Sequence, residues 1–138
     1  MSKENIQVVE KLFAAVEKRD RTQVLGAYDE NICIREAESL PYGGEYHGLQ
    51  GALEHALGYR KVWDNLQTAA ERNLSPTFLD AGDHVIVLWR QRAANRKRKF
   101  ESSAVSVYKL RDGKIIESEM FQDTAAVLQF LKDDEKAD

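Results

Sequence analysis

Glu36, Glu38, Tyr42, Tyr46 and His47 fall within thirteen residues, EAESLPYGGEYHG from Glu36 to Gly48. Carboxylates, phenols and an imidazole this close together are groups that accept, donate or orient a proton. They follow a short apolar run, Ile32-Cys33-Ile34, so the first carboxylate stands at the end of a strand. Pro41-Tyr42-Gly43-Gly44 comes next. Proline fixes φ and glycine allows positive φ, so this is a shaped turn. A strand that ends in a carboxylate and runs into such a turn marks the lip of a pocket, where Tyr42, Tyr46 and His47 could meet a ligand.

The other reactive side chains point to less. Cys33 is the single cysteine, which excludes an intramolecular disulfide and a multi-thiolate zinc site; inside Ile32-Cys33-Ile34 it reads as a small buried strand residue. His47, His55 and His84 do not stand one helical turn apart, so no metal and no cofactor is expected. Arg90, Arg92, Arg96, Lys97, Arg98 and Lys99 form a basic run without the interleaved aromatics that stack bases. They read as a solvated hairpin tip, and no nucleic-acid partner is expected.

These residues need elements to position them. Ile6, Val9, Phe13 and Val16 recur at helical spacing from Lys3 to Arg19, and Asp20 caps a second, shorter helix carrying Val24, Leu25 and Tyr28. Asn31 to Glu36 is a strand. Leu49, Leu53, Leu57 and Trp63 mark a third helix, with Tyr59 and Trp63 one turn apart on it. Period-two patterning then predicts strands over Thr68 to Leu79, His84 to Ala93, Lys97 to Leu110 and Lys114 to Gln122. Asp123 or Thr124 caps a final helix, followed by an acidic tail from Asp133 to Asp138. Helices followed by a meander give an α+β class.

At 138 residues, 43% hydrophobic and 31% charged with net charge -3, the chain reads as a single domain over residues 1–132 plus the tail at 133–138. The N-terminus lacks the pattern of a secretory signal, and no apolar run reaches the ~18 residues of a membrane span. A cytoplasmic location, with no membrane partner, is the expectation. Val85-Ile86-Val87-Leu88-Trp89 is apolar on both faces, so a homodimer through the sheet is also expected.

The segments KLFAAVEKRDRTQVLGAYDENICIRE, PYGGEYHG and KLRDGKIIESEMFQDTAAVLQFL, in this order, resemble the SnoaL-like and ketosteroid isomerase-like branch of the nuclear transport factor 2-like superfamily. The resemblance implies a curved antiparallel sheet wrapped around the N-terminal helices as a cone, a cystatin-like roll whose open end holds a small-molecule ligand. It puts Glu36 at the general-base position, with Glu38 of the same strand parity as the second choice. It also puts Leu12 and Ser106 where ketosteroid isomerases carry their hydrogen-bond donors, and Met120 where cyclases and epoxide hydrolases carry an acid. Glu117 and Glu119 have the opposite parity to Met120.

Those known residue sets are therefore incomplete here, and replacement donors are needed. Ser106 and Tyr108 share the pocket-facing parity with Ser118 and Met120, while Tyr59 and Trp63 approach from the third helix. Two functions follow. One is a proton-transfer enzyme, isomerase or lyase in type, acting on a small apolar organic substrate with Glu36 as base and Ser106 or Tyr108 as donor. The other is a non-catalytic ligand-binding or dimerisation module.

Overall fold

A computed structural model describes residues 2–135 of the chain. Helix α1 spans Ser2–Lys18 and buries Val9, Leu12 and Phe13 along one face. Each such side chain removed from water contributes about 1.5–3 kcal/mol before the entropy of ordering is subtracted. Arg19 takes a positive φ of 58° to end the helix, and the Asp20 carboxylate then accepts the Gln23 N–H (3.1 Å) to start α2, Arg21–Gly26. Tyr28 lies beyond that helix, as the first residue of β1, Tyr28–Glu36.

The Pro-Gly turn is built tightly. Ala37 and Leu40 carbonyls accept N–H groups from Leu40 (3.1 Å) and Gly43 (2.9 Å). A Cβ on Gly43 would lie 2.1 Å from the Ala37 carbonyl oxygen, so no other residue fits. Gly44, at φ 115°, then sends the chain back as a strand the alternation had not marked, β2, Gly44–His47, which pairs antiparallel with β1. Helix α3, Gly48–Trp63, follows directly and ends in a 3₁₀ turn, Asp64–Leu66.

The strand expected from Thr68 shrinks to β3, Thr77–Ala81. The Glu71 carboxylate draws in the Thr68 N–H (2.8 Å) and hydroxyl (2.9 Å) to close a turn, and Ser75 adopts a φ of 47° just before Pro76. Residues 67–76 are consequently a loop. Strands β4, His84–Ala94, β5, Lys99–Arg111, and β6, Lys114–Gln122, complete a six-stranded sheet of order β2-β1-β6-β5-β4-β3. The pairings are antiparallel except that β1 runs parallel to β6. Asp123 caps α4, Thr124–Glu135, through the Ala126 N–H (3.0 Å). Asp133, Asp134 and Glu135 thus belong to that helix, and Asp133 holds Arg98 at 3.2 Å; residues 136–138 of the expected tail lie outside the described residues.

The fold is α+β, a curved open sheet with the helices on its inner face. Alternation decides what points inward: Val85, Val87, Trp89, Gln91 and Ala93 of β4 are buried, whereas Leu88 between them is exposed. The main core joins α1 to Ile32, Ile34, Val85, Val87 and Ile115. A second core at the far end stacks Trp63, Phe100 and Phe130 with centroids 4.9–6.5 Å apart. The basic hairpin is partly neutralised, since Glu101 meets both Arg90 (2.8 Å) and Arg92 (3.2 Å). Among the described residues no helix is long and apolar enough to cross a membrane.

Candidate active site

Between the helices and the inner face of the sheet lies a cavity of about 150 Å³. Its deep wall is apolar, formed by residues such as Leu12, Phe13, Ala52, Leu74 and Trp89. Polar groups enter it from two directions. Ser106, Tyr108, Ser118 and Met120 come from β5 and β6, where Tyr108 pairs with Ser118 and Ser106 with Met120 in register. His55, Tyr59 and Trp63 come from α3, at four-residue steps that put all three on one face.

Glu36 stands behind this wall. Its side chain is 1% exposed, and Oε2 lies 2.8 Å from Nε2 of His55, whose ring lines the cavity. Burial pushes the carboxyl above its ordinary range, and the His55 hydrogen bond and charge pull it partly back. Its other oxygen, Oε1, is buried with no hydrogen-bond partner. The imidazole is held between two phenol rings, Tyr46 at 5.2 Å and Tyr59 at 6.2 Å. Only Nε2 of His55 is engaged among the described residues.

All five tyrosines of the chain feel this carboxylate. Burial raises the phenols of Tyr28, Tyr42, Tyr46, Tyr59 and Tyr108, and the nearby Glu36 charge raises each further. They are therefore O–H donors at neutral pH. Two of them donate to fixed acceptors: Tyr59 to Gln91 Oε1 (2.6 Å), and Tyr46 to the Tyr42 carbonyl (2.9 Å). Tyr108 is arranged the other way round. Trp89 Nε1 donates to Ser106 Oγ (3.0 Å), and Ser106 in turn hydrogen-bonds the Tyr108 oxygen and eases its ionisation.

The structure thus brings Glu36, Ser106, Tyr108, Ser118, Met120, Tyr59 and Trp63 to one locality. It puts four other candidates from the 36–48 stretch elsewhere. Tyr42 is buried in the second core, where its oxygen accepts the Trp63 indole N–H (3.1 Å). Tyr46 packs behind the His55 ring rather than on the cavity wall. His47 is 68% exposed on the opposite face of β2, paired with Glu45 at 3.0 Å, because alternation sends it away from Tyr46. Glu38 is exposed in the turn.

His55 was not legible as a site residue from metal-ligand spacing, which does not test for a carboxylate partner on a distant strand. The signal available was its place one turn before Tyr59 on the helix face that looks at the sheet. Among the described residues one group has donor atoms close enough for a cation, Cys33, Glu45 and His47, all within 4.8 Å. It lies on the outer face, away from the cavity, and the Arg35 guanidinium competes for Glu45 at 3.5 Å.

Known proteins share this fold. The model of the SnoaL-like domain matches residues 9–118. No curated protein sequence matches the chain. Among solved structures, an NTF2-like protein from Burkholderia pseudomallei superposes with TM-score 0.81 at 24% identity, covering 95% of this chain and 98% of that one. TerC, crystallised with polyporic acid, gives 0.81 at 22% identity over 94% and 98%. An NTF2-like protein from Burkholderia thailandensis gives 0.77 at 25% identity over 91% and 95%.

Proposed function

We propose that this chain, which belongs to the SnoaL-like domain family, is a proton-transfer enzyme of isomerase or lyase type acting on a small, mostly apolar organic molecule held in the cavity. The observation that carries this reading is the 2.8 Å contact between a buried Glu36 carboxylate and the His55 imidazole on an apolar cavity wall. Ionised Glu36 accepts the Nε2 proton, which leaves Nδ1 of His55 as the basic nitrogen. When Nδ1 takes a proton from a substrate carbon, the imidazolium forms against its own counter-ion. Glu36 is then the base at one remove, acting through His55.

Negative charge left on the substrate needs a donor in a site with little water. The Trp89–Ser106–Tyr108 chain supplies one, each group polarising the next, with the Tyr108 O–H aimed at the developing enolate. The proton on His55 returns to another carbon in an isomerase, or goes to the departing group in a lyase. Ser118 and Met120 fill the floor below, and Trp63 and Tyr59 close the side. The polyporic acid found with TerC, a protein of the same fold, supports a small organic ligand.

Hydrogen–deuterium exchange of enolisable cyclic ketones in D₂O, followed by NMR, tests the chemistry. Glu36→Gln and His55→Gln are each expected to cut exchange by about 100-fold or more. Exchange at the wild-type rate in both variants would end the proton-transfer reading. A second reading, a non-catalytic binding or dimerisation module, is favoured by the outer face of the sheet. There Leu88, Val105 and Phe121 stand in register across three strands, with Leu88 and Phe121 exposed. Such a strip suits a homodimer, and a monomer by light scattering at working concentrations would remove that part.

A further inference from the structure

We infer that the cavity takes an amphipathic anion, an apolar ring system bearing a carboxylate or an acidic hydroxyl, with the charged group seated against arginines at the rim. The cavity lining divides into two zones. The deep zone is buried and apolar, and the exposed or half-buried zone is basic. Arg19 from the end of α1, Arg21 from the start of α2, Arg60 from the last turn of α3 and Arg72 from the 67–76 loop converge there. Among the described residues Asp64 is the single carboxylate in the lining. In a chain of net charge -3, four guanidiniums from three stretches of the chain around one opening are not an echo of composition.

Asp64 does not satisfy them. Its two oxygens lie 3.2 Å from Arg19 Nη2 and 3.4 Å from Arg60 Nε, so one carboxylate is shared between two guanidiniums. Arg72 reaches only the Gln67 carbonyl, at 3.4 Å, and Arg21 has no partner among the described residues. Glu71, next to Arg72 in sequence, spends its carboxylate on the Thr68 N–H and hydroxyl. Guanidinium forks match a planar oxyanion better than any neutral group, and one carboxylate cannot neutralise four of them. A ligand with an anionic end would fill both zones at once.

This inference rests on the cavity being the ligand site, and the experiment separates the two. Isothermal titration of the full chain with 2-naphthoate and 2-naphthamide compares ligands of one shape that differ in charge. The carboxylate is expected to bind tighter by about tenfold at low salt, a margin that narrows as salt rises. Arg72→Gln should weaken the carboxylate and leave the amide alone. Asp64→Asn should strengthen the carboxylate, a gain that misfolding cannot produce. Equal affinity for the two compounds, unmoved by Asp64→Asn, would overturn the charge inference and leave the cavity reading in place. Binding of neither compound, in any variant, would overturn both.

Discussion

Arg35 and Glu36 are neighbours on β1 and face opposite sides of the sheet. On the outer side Arg35 meets two carboxylates, Glu45 at 3.5 Å and Glu117 at 3.4 Å, and Glu117 also lies 3.9 Å from Lys109. Every member of that network is partly exposed, so water can replace any one of them. On the inner side, among the described residues, Glu36 has His55 alone and one of its oxygens has no hydrogen-bond partner. The lesson is that the richer network carries the less information. Water makes the outer charges interchangeable, whereas the inner pair is dry and its geometry singular. A buried acid with an unmet oxygen opposes folding, and groups kept at such a cost cluster at functional sites.

Substitutions can break this contrast. The largest effect on stability is expected for His55→Leu, which leaves Glu36 buried without its partner and should lower unfolding free energy at neutral pH by about 3 kcal/mol in urea. The deficit should shrink as pH falls and Glu36 becomes neutral; an equal loss at all pH values would mean that packing, not charge, is responsible. Next comes Glu36→Gln, expected to stabilise the fold by about 1 kcal/mol at neutral pH while abolishing proton exchange.

The sign follows from the direction of the shift. The folded carboxyl binds its proton more tightly than the unfolded one, so no penalty exists below the ordinary value of 4.5. Stability then falls as pH rises from there through the raised folded value. Glu36→Gln should flatten that decline, and a pH profile identical to wild type would refute the assignment. The smallest effect belongs to Arg35→Gln, whose thermal midpoint should match wild type at moderate salt. A clear drop would show the outer network to be structural after all.

Much of this contrast could be read from the chain, because period-two alternation separates Glu36 from Arg35 and Met120 from Glu119 without any coordinates. The helices, four of the strands and the cap by Asp20 were equally local in origin. What escaped depends on contacts between distant segments. The loop at 67–76 looked extended because its apolar spacing was not weighed against the Thr68–Glu71 turn and Ser75-Pro76. The strand β2 hid behind Gly44, whose positive φ reverses the chain one residue after a turn that seemed to end there. His55 joined the site only through α3 packing on β1, and the rim arginines are brought together from positions 19–21, 60 and 72.

The parallel seam between β1 and β6 sets the order in which the molecule can be assembled. Strands β3 to β6 are consecutive and can zip through short turns, whereas β1 must wait for the last strand before one of its edges is covered. Closing so long a loop is slow, and the search for that seam should limit the folding rate. During synthesis Glu36 leaves the ribosome early, and most of the chain must follow before the strand beside it exists. The residue that defines the site is among the first to be made and among the last to be put in place.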